Sequence, residues 1–255
     1  MAVEVKSWDE IKTMREAGRI VAQTLELLVK EVRPGLNIRV LDEIVREEYK
    51  RRGAIPTFLS YPHRGDKWDY PATVCVSIND QIVHGIPRDR ILNDGDVVSI
   101  DLGATYKGFV GDAAVTVGCG TVSPEAARLI ETTCGALREG IRYSRAGVHL
   151  GDLGYAIQQY AESRGYSVVR QYVGHGVGRR MHEDPQVPNY GDPGTGRRLR
   201  AGWVIAIEPM LNIGGAETRV APDRWTVYTA DGSLSAHFEH TIAVTDGEPE
   251  VLTLP

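Results

Sequence analysis

DVVSIDLGATYKGFVGDAAVTV, residues 96–117, is the stretch whose reading decides the fold. Two apolar runs of alternating polarity flank Thr105-Tyr106-Lys107-Gly108, which is the composition of a β-hairpin with those four residues as its loop. That register sets Thr105 against Gly108 and Asp101 directly against Asp112. Opposed strand residues have Cβ atoms only about 4.5–5.5 Å apart, and like charges so placed are destabilising. Something must compensate. A divalent metal pair about 3.5–4 Å apart would do so; the alternative is a slipped hairpin with one Asp turned to solvent.

Outward from the hairpin, the chain repeats itself. Arg33-Pro-Gly35-Leu36-Asn-Ile38, followed by Leu41 and Arg52-Gly53, recurs as Arg145-Ala-Gly147-Val148-His-Leu150, Leu153 and Arg164-Gly165, at an offset of 112. Leu92-x-x-Gly95-x-Val97-x-x-Ile100-Asp101 recurs at an offset of 107 as Leu199-x-x-Gly202-x-Val204-x-x-Ile207-Glu208. Two copies of a helix, Gly turn, helix and strand unit are expected, in halves of roughly 12–120 and 124–250 within one catalytic domain, 1–255. Helical stripes fall at Ile20, Leu27, Leu28 and Leu41, Ile44, Val45, Tyr49, and again at Ala127, Ile130, Leu137 and Ala156, Ile157, Tyr160. The repeat makes Glu208 the equivalent of Asp101, so each half delivers a carboxylate to the same address.

Composition bounds the function. A net charge of −5 over 255 residues gives no electrostatic reason to expect sequence-specific nucleic acid or an anionic membrane as partner. Cys75, Cys119 and Cys134 are odd in number and lack a CxxC, which points to a reduced, cytoplasmic compartment. No run approaches the 18 or so apolar residues of a membrane span, and the N-terminus lacks a secretory apolar core. A soluble protein is expected, with a long surface loop over the turn-rich 189–198.

Two more candidates complete a site. His175 lies among glycines in Val173-Gly-His-Gly-Val-Gly178, with His182 seven residues on, and Glu239 interrupts an apolar stretch, Ala236–Val244. Asp101, Asp112, Glu208 and Glu239 carry four negative charges, which two divalent cations would balance, leaving neutral His175 as the nitrogen ligand. Oxygen-rich ligation with one imidazole suits divalent Mn, Fe, Co or Zn rather than a closed structural zinc site. HExxH, GxSxG and a phosphate loop ending in GK[ST] are all absent.

SINDQIVHGIP (77–87), DLGATYKGFVGD (101–112), GHGVGRRMHEDPQVPNY (174–190), IEPML (207–211) and FEHT (238–241), with the opening IKTMREAGRIVAQTLE, resemble the ordered motifs of the type I methionine aminopeptidases. The resemblance covers nearly the whole chain and looks bacterial in kind. It implies an α+β pita-bread fold: a pseudo-twofold duplication with a central curved, mostly antiparallel sheet backed by helices. It implies that Asp101 binds one of two divalent ions, that Asp112 and Glu239 bridge both, and that His175 and Glu208 bind the other. Glu208 would also carry a proton, His182 would donate toward the scissile carbonyl, and His84 with His182 would touch substrate. Tyr61, Tyr70, Cys75 and Trp225, with Phe58 nearby, would form the pocket for methionine.

The implied activity is release of N-terminal methionine from peptides and nascent chains before a small second residue, a limit that this chain's own Met1-Ala2 satisfies. A monomer is expected, and a role on nascent chains would bring it to the ribosome. Two departures adjoin the pocket: 62–69, PHRGDKWD, looks longer than in familiar members, and Met181 stands where many have Phe. The rivals are an Xaa-Pro aminopeptidase, which usually carries a large N-terminal domain, and a non-catalytic binder of peptides or chain ends on the same scaffold, which typically lacks the metal ligands.

Overall fold

Among the described residues four helices cover one side of a long antiparallel sheet, and each pair of helices seals its own apolar core. The computed structural model describes residues 3–63 and 68–255. The helices are α1 (Trp8–Glu31), α2 (Arg39–Arg52), α3 (Pro124–Arg142) and α4 (Leu150–Glu162). Ser7 caps α1 by accepting from the Glu10 N–H, while the Glu10 side chain accepts from the Ser7 N–H, so two orphan amides are satisfied at once. Leu25, Leu28, Leu41 and Val45 close on Val98, Ile100 and Leu102 in the first half. Leu129, Leu137, Leu153 and Ile157 close on Ile205, Ile207 and Ile242 in the second. The α3 stripe differs by one residue from its sequence reading: Ala126 and Leu129 are buried, whereas Ala127 is exposed and Ile130 only half-buried.

The nine-stranded sheet runs, edge to edge, through Ile55–Pro56, Val97–Tyr106, Phe109–Gly118, Glu239–Ala243, Val204–Ile207, Gly174–Gly176 and Glu183–Val187; Cys75–Ile78 and Glu250–Val251 add laterally. Strand alternation sends Val98, Ile100, Leu102 and Ala104 to the helices and Ser99, Asp101 and Gly103 to the opposite face. The hairpin exists, but not in the expected register. Tyr106 pairs with Phe109, so Lys107 and Gly108 alone make the turn, with φ of 48° and 80°. Positive φ at both central residues is the two-residue turn whose twist matches the flanking strands. Asp101 therefore stands opposite Ala114, and Asp112 opposite Gly103. A slip of two residues moves the carboxylates from facing to diagonal neighbours and leaves both on one face.

Equivalent backbone bonds occur in the two halves. Gly35 N–H donates to Leu92 O and Gly147 N–H to Leu199 O, at 2.8 and 2.9 Å. Isolated bridges pair Asn37 with Ile91 and His149 with Arg198. The strands meet at the centre, where Ala114 pairs with Glu239. Just beyond Ile207 the ladder stops at Pro209, which has no N–H to give, and the chain continues into a second, three-stranded sheet at Met210–Asn212.

Candidate active site

The five expected metal ligands, both expected substrate histidines and all five expected pocket residues line one cavity of about 1000 Å³. Its floor is the polar face of the sheet. Asp112, His175 and Glu239 are buried and each offers a ligand atom within 4.8 Å of the others. His175 Nε2 lies 3.6 Å from Asp112 Oδ2 and 3.5 Å from Glu208 Oε1. Asp101 stands beside this group along the ladder, paired on its other side with Cys75.

The floor is electrostatically strained. Burial raises Asp112 to about 7, against the lowering effect of its hydrogen bonds with Glu239 and the Ala113 N–H. Burial, and then the charge of Asp112, push Asp101, Glu208 and Glu239 well above the ordinary carboxylate range. Desolvation leads in each case, and like charge adds to it. Asp101 Oδ1, Asp112 Oδ1 and Glu239 Oε1 are buried without a hydrogen-bond partner. Four converging acidic side chains, three of them with orphaned oxygens, and one imidazole form a donor set that fits hard-to-borderline divalent cations. Burial, then the neighbouring His182, lower His175 to about 3, so its ring is neutral and has a lone pair to give.

Above the floor, His182 and His84 occupy the walls. Tyr61 Oη lies 2.5 Å from His182 Nδ1, and the His175 and His182 ring centres are 4.2 Å apart. His84 has a φ of 60°, an unusual conformation for a residue with a Cβ. Its ring meets Tyr172 and Trp225 edge-on at 5.8 and 6.2 Å. Such locally costly backbone is held in place only by well-packed surroundings.

The mouth is aromatic. Tyr70 packs edge-to-face on Phe58 at 6.4 Å and on Trp225 at 5.2 Å, and its hydroxyl donates to Val74 O and Gly85 O. Met181 reaches the same wall: a Cβ on Gly103 would lie 3.0 Å from Phe58 Cε1 and 3.3 Å from Met181 Cε. The stretch 62–69 includes residues 64–67, which lie outside the described residues, as does Met1-Ala2.

Residues 12–246 match the family model described as Metallopeptidase family M24. The chain belongs to family M24. A methionine aminopeptidase from Aquifex aeolicus is 48% identical over 256 residues, 99% of each chain. Methionine aminopeptidase 1 of Bacillus subtilis is 47% identical over 244 residues, 96% of each. The crystal structure of methionine aminopeptidase from Thermotoga maritima matches with a TM-score of 0.96 at 42% identity, covering 100% of both chains. This M24 chain therefore has the pita-bread fold and is a metal-dependent hydrolase that uses divalent cations. No helix among its described residues is long and apolar enough to cross a membrane.

Three contacts in this M24 site escape a reading of the sequence. Asn189, fully buried, donates from Nδ2 to Glu208 O at 3.0 Å. His237, also buried, approaches Glu208 Oε2 at 3.8 Å. Lys6, on the segment before α1, pairs with Glu183 beside His182 at 2.6 Å. Only His237 had any signal, its spacing of two residues before Glu239, although the two residues belong to different strands in different sheets.

Proposed function

We propose that this chain removes N-terminal methionine from peptides and nascent proteins when the second residue is small. Asp101, Asp112, His175, Glu208 and Glu239 hold two divalent ions, of Co, Mn, Fe or Zn. The observation that carries the reading is a floor of four carboxylates and one neutral imidazole beneath an aromatic pocket, with Asp112, His175 and Glu239 buried and Asp101 and Glu208 half-buried. When bound, the cations supply Lewis acidity and make water at the site acidic enough to act as nucleophile near neutral pH.

The protein's own groups do the rest. The acidic floor favours a free terminal amine over the neutral amide of an acylated terminus, which restricts cleavage to the chain end. Phe58, Tyr70, Cys75, Trp225 and Met181 offer an apolar, polarisable wall to a thioether side chain. With the Tyr61 hydroxyl as donor to His182 Nδ1, the His182 proton would sit on Nε2. That N–H can then stabilise the carbonyl oxygen as it gains charge. His84, neutral because burial lowers it to about 4, gives a second polar contact to the substrate backbone. Glu208, which lines the cavity beside the cation site, would carry the proton to the leaving amine.

Both halves contribute to one catalytic unit, spanning 12–120 and 124–250, that works as a monomer. Three free cysteines suit a cytoplasmic location, and nascent substrates place the work beside the ribosome. The test compares turnover of Met-Ala-Ser with its N-acetyl analogue and with Met-Lys-Ser. Rapid cleavage of the first alone is expected; equal rates for the acetylated peptide would overturn the assignment.

A further inference from the structure

Glu208 is the one expected metal ligand that lies past the end of its strand, so the ladder does not fix it. Asn189 holds its backbone carbonyl. Its two carboxylate oxygens face two different imidazoles: Oε1 lies 3.5 Å from His175 Nε2, and Oε2 lies 3.8 Å from His237 Nε2. His237 is 2% exposed, and its Nε2 has no hydrogen-bond partner. A buried polar nitrogen left so is costly and calls for an explanation.

The duplication supplies one. Thr241 Oγ1 donates to Asp112 O at 2.7 Å and accepts from Asp112 N–H at 3.1 Å. Thr116 Oγ1 makes the same reciprocal pair with His237, donating to its carbonyl at 2.6 Å and accepting from its N–H at 2.9 Å. His237 thus occupies in the second half the place that Asp112 occupies in the first, as Glu208 matches Asp101. One half sets a carboxylate beside a carboxylate. The other sets an imidazole beside a carboxylate, its backbone clamped so that Nε2 is aimed at Glu208.

We propose that His237 is a positioning residue: its Nε2–H donates to Glu208 Oε2 and keeps that oxygen out of the cation cluster, so that only Oε1 is offered there. The inference rests on the reading of Glu208 as a metal ligand and proton carrier. At 3.8 Å the hydrogen bond is not yet formed, and a movement of about 1 Å would close it, as such bonds commonly tighten in the loaded site. Confined to one oxygen, Glu208 keeps the orientation from which it can pass a proton.

The test pairs His237→Leu, which removes the donor, with His237→Gln, which keeps an N–H of similar reach. In His237→Leu, kcat on Met-Ala-Ser should fall about 10–100-fold with KM within about twofold, and Zn²⁺ affinity by calorimetry should fall about tenfold. His237→Gln should restore both to within about threefold. A His237→Leu enzyme that matches wild type, or a folded His237→Gln enzyme as impaired as His237→Leu, would overturn the proposal. Should His237→Leu fail to fold, ¹⁵N-histidine NMR of the wild type decides. The His237 Nε2 proton should persist and shift on Zn²⁺ loading; its loss would make His237 a ligand instead and overturn the proposal. A wild type that neither binds Zn²⁺ nor cleaves would overturn the peptidase reading itself, whereas an active wild type indifferent to position 237 would overturn this inference alone.

Discussion

The floor and the mouth of the cavity are built by opposite means. The floor is carried by long paired strands, is almost wholly buried, and gathers like charges that repel one another. The mouth is carried by loops and packs neutral rings edge-to-face, with His84 held at positive φ. The floor is thus a place where sheet rigidity holds groups that would otherwise move apart. The mouth is a place where packing shapes a surface. Stability and function should separate at the floor and run together at the mouth.

The largest effect expected of that contrast is at Asp112. Asp112→Asn should lower kcat/KM by more than about 10³-fold if Asp112 holds, as proposed, a cation that activates water. Without metal the same variant should melt higher than wild type, by at least roughly 2–4 °C, because a desolvated like charge has gone. Calorimetry of the metal-stripped pair checks this, and a lower melting temperature for the variant would break the comparison. Next is His182→Ala, expected to reduce kcat by about 10²–10³-fold with little change in melting temperature. Tyr61→Phe should cost less, about tenfold in kcat, because it loosens the ring without removing it.

A pH series sharpens the same contrast. In the metal-free fold Asp112 sits near 7, above the ordinary value of about 4. Its contribution to stability is full below about pH 4 and is lost as pH rises through about 7. His175 and His237, both lowered to about 3 by burial, act in the other sense: their contribution is full above about pH 6.5 and is lost as pH falls. Cations bound as proposed would hold the carboxylates ionised and neutralised, so Zn²⁺ should raise the melting temperature more near pH 8 than near pH 5. Where the floor meets the mouth, Gly103→Ala should give the smallest effect. Its new methyl would press on Phe58 and Met181, raising KM for methionyl peptides several-fold while costing about 1 kcal/mol of stability.

The sequence was more legible at the floor than at the mouth, for a physical reason. Period-2 alternation records which face a strand residue takes, so Asp101 and Asp112 could be put on one face even though the register was two residues off. The slip arose because Tyr106 looks like a loop residue yet pairs with Phe109, and because Lys107-Gly108 lacks the Asn or Asp that usually marks such a turn. Glu208 was found through the repeat. His237 was not, because the chain changes sheets between His237 and Glu239, and a strand pattern does not show where a chain leaves one ladder for another. The contact of Tyr61 with His182 was invisible for a different reason: it joins two loops 121 residues apart.

Anomalous scattering at the metal edges, from crystals grown without added metal, tests the central claim most directly. Peaks bounded by the carboxylates of Asp101, Asp112, Glu208 and Glu239 and by His175 Nε2 are expected. Peaks confined to other parts of the molecule, with those carboxylates hydrogen-bonded to one another, would contradict it.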